Sequence, residues 1–148
     1  MFKSKKLKRY ETLYIDIAHR IAEMSHAEKL KVGCVLVSND NILSFGFNGA
    51  PAGFENVCED SDGVTLPHVL HAESNCISKV AKNPMSAEGS TLYCTHSPCM
   101  ECSKLIAQSG ITRVLYATKY REDSGLYLLK SLDIEVEQFS PPKDLKKD

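Results

Sequence analysis

The sequence reads His71-Ala72-Glu73 and then, one helix and one strand later, Pro98-Cys99-Met100-Glu101-Cys102. Each stretch opens a predicted helix, the first over residues 72–81 and the second over residues 99–108. Between the two helices, Thr91–Thr95 is short and apolar and predicts a strand. Helix and strand therefore alternate through the middle of the chain, a pattern typical of an α/β fold.

The flanking sequence extends the same pattern in both directions. Apolar residues at helical spacing predict a first helix from Leu7 to Met24. Four further elements are predicted, namely strands over 32–37, 42–47 and 113–117 and a helix over 122–131, and a fifth strand opens at 134–136. The turn Asn39-Asp40-Asn41 makes the first two strands a hairpin, and the short crossovers imply parallel pairing after it. The prediction is an α/β fold with a five-stranded mixed sheet flanked by helices on both faces.

Length and composition exclude several classes of protein. The chain has 148 residues, a net charge of −1 and a globular proportion of apolar residues, which favours one domain over residues 1–148. No apolar run is long enough for a membrane helix or a secretory signal, so we expect a cytoplasmic protein. Basic residues crowd the segment 1–9 and the polar tail 140–148, where they could grip phosphate, although solvated ends are the favoured interpretation.

Six cysteines are present, and two of them have the spacing of metal ligands. Zinc prefers nitrogen and sulfur ligands in a tetrahedral shell, and catalytic zinc sites keep one position for water. His71, Cys99 and Cys102 supply three protein ligands, and thiolates in the first turn of a helix are favoured by its dipole. We therefore predict one catalytic Zn²⁺ per chain.

Glu73 is the predicted catalytic residue. It lies two residues after His71, so it faces another side of the helix and remains available to move protons. A histidine and glutamate followed by a Pro-Cys-x-x-Cys stretch is typical of zinc deaminases that act on bases. A second copy of the tripeptide, His26-Ala27-Glu28, has no matching cysteine pair and is interpreted as a coincidence.

The sequence gives less evidence for metal binding by the other cysteines. Cys34 and Cys94 fall in apolar strands and are expected in the core. Cys58 and His68 lie in the long loop after the hairpin and could hold a second zinc with His26. Because that ligand set is incomplete, we favour the interpretation that they are ordinary loop residues.

Several segments resemble the zinc-dependent cytidine and deoxycytidylate deaminase superfamily, and within it the compact phage and bacterial deoxycytidylate deaminases. The similarity runs from about Tyr10 to Phe139. It is carried by Lys31-Val32-Gly33, by residues 46–53 (Gly-Phe-Asn-Gly-Ala-Pro-Ala-Gly), by residues 71–75 (His-Ala-Glu-Ser-Asn), and by residues 97–106 with the Gln108-Ser109-Gly110-Ile111 that follows. The Asn-Gly-x-Pro-x-Gly element narrows the match most.

The resemblance implies a fold, a reaction and partners. The fold is the three-layer cytidine-deaminase-like fold, and the reaction is hydrolysis of dCMP to dUMP and ammonia, which supplies dUMP for thymidylate synthesis. It also implies a homohexamer, activated by dCTP and inhibited by dTTP, with Mg²⁺ accompanying the nucleotide effector.

The resemblance further implies which residues bind the substrate. Asn48 matches the asparagine that holds the nucleotide, although a turn asparagine can serve only its own backbone. Lys29 stands where many bacterial members have an arginine near the phosphate, and lysine offers a single point charge instead of the two-pronged guanidinium. Lys31 and the backbone N–H groups of residues 49–53 are alternative phosphate contacts. Tyr120 and Arg121 match a pair linked to nucleotide and effector binding. Ala72 and Ser97, beside the motif residues, complete the predicted substrate contacts.

Two other functions remain open from the sequence. A nucleic-acid base deaminase of the tRNA adenosine deaminase type would share the zinc motif, but it would favour a basic groove bearing aromatic residues. The chain has no tryptophan and its basic residues are mostly terminal. A non-catalytic zinc module would need a fourth protein ligand and would leave Glu73 idle. Free-cytidine, guanine and riboflavin deaminases are the remaining alternatives.

Overall fold

The computed structural model describes residues 3–143, so the predicted basic positions Lys146 and Lys147 lie outside the described residues. Nine elements follow one another along the chain: α1 (Lys5–Ala22), β1 (Gly33–Ser38), β2 (Asn41–Phe47), α2 (Ala72–Val80), β3 (Thr91–His96), α3 (Met100–Gln108), β4 (Arg113–Thr118), α4 (Ser124–Ser131) and β5 (Glu135–Gln138). Over residues 3–143 no helix combines the length and apolar character needed to cross a membrane.

The five strands form one mixed sheet in the order β2-β1-β3-β4-β5. β1 pairs antiparallel with β2, which confirms the hairpin, and β3, β4 and β5 are parallel as the short crossovers predicted. β1 also pairs antiparallel with β3, with Cys34 opposite Cys94. The sequence did not predict that contact, because β2 and α2 intervene between the two strands along the chain.

Alternate residues of the strands pack on different helices, which places helices on both faces of the sheet. On one face, α1 packs through Tyr14, Ile15 and Ala18 against Val35 of β1 and Leu115 of β4. The other face carries residues of α2, α3 and α4 against the inward residues of the strands, among them Cys34, Leu36, Leu92, Cys94, Val114, Cys76, Ile106 and Leu129. The predicted three-layer architecture is confirmed, and so is the burial of Cys34 and Cys94.

The boundaries differ from the prediction in three informative places. Cys99 caps α3 rather than opening it, and its sulfur accepts a hydrogen bond from the Cys102 N–H. α4 begins at Ser124, two residues later than predicted. The loop after β2 is not wholly irregular, because Glu59 pairs with Thr65 and Gly49 pairs with Leu70 in short β-bridges.

The N-terminal basic segment is only partly a solvated tail. Lys3 Nζ lies 2.8 Å from Glu11 Oε1 and 2.7 Å from Glu137 Oε2, so it ties the start of α1 to β5. Glu11 is buried and also receives Arg113 Nη2 at 2.6 Å. Because a buried carboxylate needs charged partners, the solvated-tail interpretation is wrong for Lys3.

Candidate active site

The fold brings the two motif stretches together at the beginnings of α2 and α3. His71 caps α2 and Cys99 caps α3, both with extended backbone. His71 Nδ1 lies 3.5 Å from Cys99 Sγ and 3.3 Å from Cys102 Sγ. Nitrogen and sulfur ligands at about 2.0 and 2.3 Å from a tetrahedral zinc stand about 3.5 Å apart. The spacing of the three ligand atoms, all within 4.8 Å of one another, therefore fits a zinc ion.

The two thiols are electrostatically unequal. The Cys102 thiol and then His71 hydrogen-bond to Cys99 and lower the pKa of its thiol to about 3, while the pKa of Cys102 is raised by the same pairing and by burial. Hydrogen bonding to Cys99 is also the main reason why the pKa of His71 is raised. The three ligand atoms therefore compete for protons, and zinc binding would replace the remaining protons because thiolate and neutral imidazole are the ligand forms.

Glu73 is a buried carboxylate beside the ligand group. It is 4% exposed, and burial raises its pKa above the ordinary value. Hydrogen bonds from its own backbone and from Cys102 oppose that rise. A carboxyl group whose pKa is moved toward neutrality can both accept and return a proton.

A cavity of about 500 Å³ opens above these residues. His71, Ala72, Glu73 and Cys99 are among the residues that line it. The structure also brings to this cavity the other residues that the sequence named for the substrate, which are Asn48, Lys29, Ser97, Tyr120 and Arg121. A volume of this order suits a small-molecule ligand.

The side chain of Asn48 is committed to the protein backbone. Its Oδ1 accepts the Val32 N–H at 2.8 Å, and its Nδ2 donates to the Leu30 carbonyl at 2.8 Å. The Asn48 carbonyl accepts the hydroxyl of Ser25 at 2.6 Å. Asn48 therefore holds the segment before β1 in place, and one amide hydrogen is left for a ligand.

Ser97, Tyr120 and Arg121 also line the cavity and are connected to one another. The Tyr120 N–H donates to Ser97 Oγ at 2.7 Å, and the Ser97 N–H donates to the Thr118 carbonyl at 3.0 Å. The Arg121 guanidinium lies 5.6 Å from the centre of the Tyr120 ring. These contacts attach the residues after β4 to the turn that precedes α3.

Sequence reasoning missed several cavity residues, most notably Glu59 and His96. His96 directly precedes the Ser97-Pro98-Cys99 stretch, so its adjacency to the motif could have identified it. Glu59 comes from the long loop, where nothing in the local sequence indicates which side chain faces inward. Its position is set by the folding of that loop.

The second copy of the tripeptide and the candidate second zinc ligands have other environments. Among residues 3–143, the group of three metal-ligating side chains is His71, Cys99 and Cys102, and it does not include Cys58, His68 or His26. Cys58 is buried, and His68 Nε2 contacts the Val57 carbonyl at 3.2 Å.

Gly125 of α4 packs directly against the backbone of Pro98 and Cys99. Any Cβ at Gly125 in α4 would lie 2.5 Å from Ser103 Oγ, 2.6 Å from the Pro98 carbonyl oxygen and 2.7 Å from that of Cys99. Ser103 Oγ is buried and has no hydrogen-bond partner within the described part of the chain. The absence of a side chain at Gly125 therefore lets α4 approach the backbone that carries Cys99.

Comparison with known proteins gives a consistent result. A sequence model described as the cytidine and deoxycytidylate deaminase zinc-binding region matches residues 8–118. Deoxycytidylate deaminase of Enterobacteria phage T4 is 33% identical, with 87% of this chain and 88% of that protein aligned. A crystal structure of dCMP deaminase from the cyanophage S-TIM5 in complex with dCMP and dUMP superposes with a TM-score of 0.87 at 43% identity, over 93% of this chain and all of that one.

Two other relatives are similar to this chain over part of their length or in fold only. Deoxycytidylate deaminase of Saccharomyces cerevisiae is 33% identical over 88% of this chain, but the chain spans only 45% of the length of that relative. A tRNA:A34 deaminase superposes with a TM-score of 0.63 at 18% identity, which shows a common fold and no more.

Proposed function

The chain belongs to the cytidine and deoxycytidylate deaminase family, and we propose that it is a zinc-dependent hydrolase that converts dCMP to dUMP and ammonia. One observation carries the proposal: the His71, Cys99 and Cys102 group lies beside buried Glu73 in a cavity of nucleotide size. The phage relatives named above, which align over most of this chain, support dCMP as the substrate. Formation of dUMP would supply thymidylate synthesis.

His71, Cys99 and Cys102 are proposed to hold the zinc ion, and Glu73 to move protons. When bound, zinc supplies a Lewis acid that activates water near neutral pH. Glu73 takes a proton from the attacking water and delivers it to the ring nitrogen beside the reacting carbon. It then takes the proton of the hydroxyl group newly bonded to the reacting carbon and passes it to the amino group, which leaves as ammonia as the C–N bond breaks and the C=O bond forms. Burial raises the pKa of Glu73, which makes its carboxylate a better proton acceptor, and a pKa nearer neutrality still lets it return the proton.

Selectivity for the nucleotide is assigned to the cavity residues that stand apart from Glu73. Lys29 and Arg121 line the cavity and supply positive charge for a 5′-phosphate. Asn48, Ala72, Ser97 and Tyr120 line the same cavity and are proposed to contact the rest of the nucleotide. Donors arranged for a phosphate stay unpaired when it is absent, so we expect deoxycytidine to lose about 10²-fold in kcat/KM.

The decisive experiment compares dCMP, deoxycytidine, CMP and a single-stranded oligonucleotide by release of ammonia from the purified protein. Turnover of dCMP with the expected preference over deoxycytidine supports the proposal. Equal turnover of deoxycytidine would indicate a nucleoside deaminase, and turnover of the oligonucleotide alone would indicate the tRNA deaminase type. Lys29→Ala should shrink the preference, whereas Lys31→Ala should leave it unchanged, because Lys29 lines the cavity and Lys31, the alternative lysine, does not.

Assembly and regulation are proposed from the family resemblance alone. The chain forms a homohexamer, dCTP with Mg²⁺ activates it, and dTTP inhibits it. Such regulation requires each effector to bind two states of the oligomer with different affinity. dCTP should shift the dCMP saturation curve to lower concentration and dTTP should oppose the shift. Hyperbolic curves that neither nucleotide moves would contradict the proposal, and Arg121→Ala tests whether Arg121 takes part in the response.

A further inference from the structure

One part of the cavity wall is a stretch of chain without regular structure. Residues 27–32 are the second part of the connection between α1 and β1, and they contribute Ala27, Lys29, Leu30 and Val32 to the lining. A segment of this kind keeps its shape only if other groups satisfy its backbone N–H and C=O groups. The identity of those groups decides how firmly Lys29 is placed.

Two side chains from distant parts of the chain bind this segment. Glu59 Oε1 accepts the N–H groups of Glu28 at 3.1 Å and Lys29 at 3.2 Å, and Oε2 lies 3.3 Å from the Glu28 nitrogen. Asn48 binds the other end, through Val32 N–H and the Leu30 carbonyl. A charged acceptor on two adjacent amides is a strong form of backbone hydrogen bond.

The carboxylate of Glu59 is itself held in position by a small hairpin in the loop after β2. The Leu66 N–H donates to the Cys58 carbonyl at 2.8 Å, and the Asp60 N–H donates to the Val64 carbonyl at 2.9 Å. Cys58, next to Glu59, is buried. Backbone hydrogen bonds within the hairpin and the burial of Cys58 therefore fix the position of the Glu59 backbone.

Glu59 is a carboxylate in the lining of a cavity that is proposed to bind a nucleoside monophosphate, so two negatively charged groups would share the cavity. Its negative charge opposes the phosphate at long range, so an effect through charge alone would weaken substrate binding. Its hydrogen bonds to Glu28 and Lys29 instead fix the backbone that carries the Lys29 ammonium. The two effects have opposite signs and can be separated by substitution.

We propose that Glu59 is a positioning residue for nucleotide recognition. Its hydrogen bonds connect residues 27–32 to the hairpin of residues 58–66 and so hold Lys29 at the distance that a 5′-phosphate requires. The inference rests on the proposed function, because it assigns Glu59 a part in selecting dCMP over deoxycytidine. Glu59 contacts the backbone and not the reacting atoms. Its removal should therefore change substrate affinity more than turnover or zinc binding.

The test compares Glu59→Gln with Glu59→Ala. The Gln side chain keeps one carbonyl oxygen, which can accept both N–H groups as Oε1 does now, but it has no charge. Glu59→Ala should raise KM for dCMP on the order of tenfold and shrink the preference over deoxycytidine, with zinc content and kcat little changed. Glu59→Gln should remain near the wild type. Glu55→Ala, which removes an exposed carboxylate from the same loop, is the matched control for charge.

Hydrogen exchange supplies a readout that does not depend on catalysis. In the substrate-free protein, the amides of Glu28 and Lys29 should exchange slowly, remain protected in Glu59→Gln and lose protection in Glu59→Ala. If Glu59→Ala fails to fold, Glu59→Asp takes its place, because it keeps the charge but shortens the reach by one methylene.

Two results would overturn the inference. One is an Ala variant with wild-type KM and amide protection. The other is an equal fall of KM in both variants, which would mean that Glu59 acts through its charge. A wild-type protein that is inactive on dCMP would instead overturn the proposed function. Amide exchange would still show whether Glu59 protects the N–H groups of Glu28 and Lys29.

Discussion

The tripeptide His-Ala-Glu occurs twice in this chain, and its two copies have different roles in the structure. At 71–73 it caps and opens α2, and the histidine meets two thiols. At 26–28 it lies in the segment after α1, outside any helix or strand. Both alanines are buried and both line the same cavity, but Glu73 is buried whereas Glu28 is exposed.

The difference teaches that the environment, rather than the tripeptide, creates the candidate chemistry. Glu73 has its pKa raised by burial next to the ligand group. Glu28 contributes its backbone N–H to Glu59 and leaves its side chain in solvent. Among residues 3–143 the metal-ligating group does not include His26, but Ala27 of this copy forms part of the cavity wall.

The largest effect is expected when a proposed metal ligand is removed. Cys99→Ala or Cys102→Ala should lose the zinc, expected at about one per chain, together with measurable activity, because two ligands hold the ion far less tightly than three. Metal content by atomic absorption, measured beside activity, checks this. Cys94→Ala, at a buried thiol of β3, is the control and should retain zinc. A zinc-free protein with full activity would refute the assignment.

The two glutamates provide the most direct test of the comparison. Glu73→Gln keeps the size of the side chain and removes the proton acceptor, so kcat should fall by at least ~10²-fold with zinc retained. Glu28→Gln changes an exposed side chain and should leave kcat unchanged. Steady-state kinetics on metal-loaded proteins would separate them. Similar losses in both variants would show that the environments differ less than the structure indicates.

A smaller effect is expected at Gly125, where α4 supports the Pro98–Cys99 backbone. Gly125→Ala must displace that backbone and with it one thiolate, so the zinc dissociation constant should rise about tenfold. Competition with a chelator and the thiolate absorption of the cobalt-substituted protein would measure it. Gly33→Ala, where a Cβ would instead overlap Ala18 of α1, should lower stability and leave zinc affinity unaltered.

The smallest effect is expected at the histidine of the second copy. His26→Asn should alter zinc content and kcat by less than about twofold, because exposed substitutions away from a site are usually tolerated. Metal analysis should still give one zinc per chain. A reproducible second zinc that disappears in this variant would revive the site of His26, Cys58 and His68.

Local patterns were sufficient for much of the fold and for the core of the site. The helix over Lys5–Ala22 and the hairpin of β1 and β2 followed from apolar periodicity and from the turn at residues 39–41. The ligand group followed from residue type and spacing, because a metal site needs particular donor atoms. The antiparallel contact of β1 with β3 was not predicted, since the sequence does not specify which strands become neighbours.

By itself the sequence determined the elements, their approximate order in an α/β architecture, and the residues with zinc chemistry, because those depend on local periodicity and on side-chain type. Tertiary structure alone decided which carboxylates are buried, that β1 pairs with β3, and that Glu59 reaches across 31 positions to the backbone of Glu28. Burial and hydrogen bonding depend on what packs nearby in space. A residue distant in sequence can supply that neighbour, and no local pattern encodes the contact.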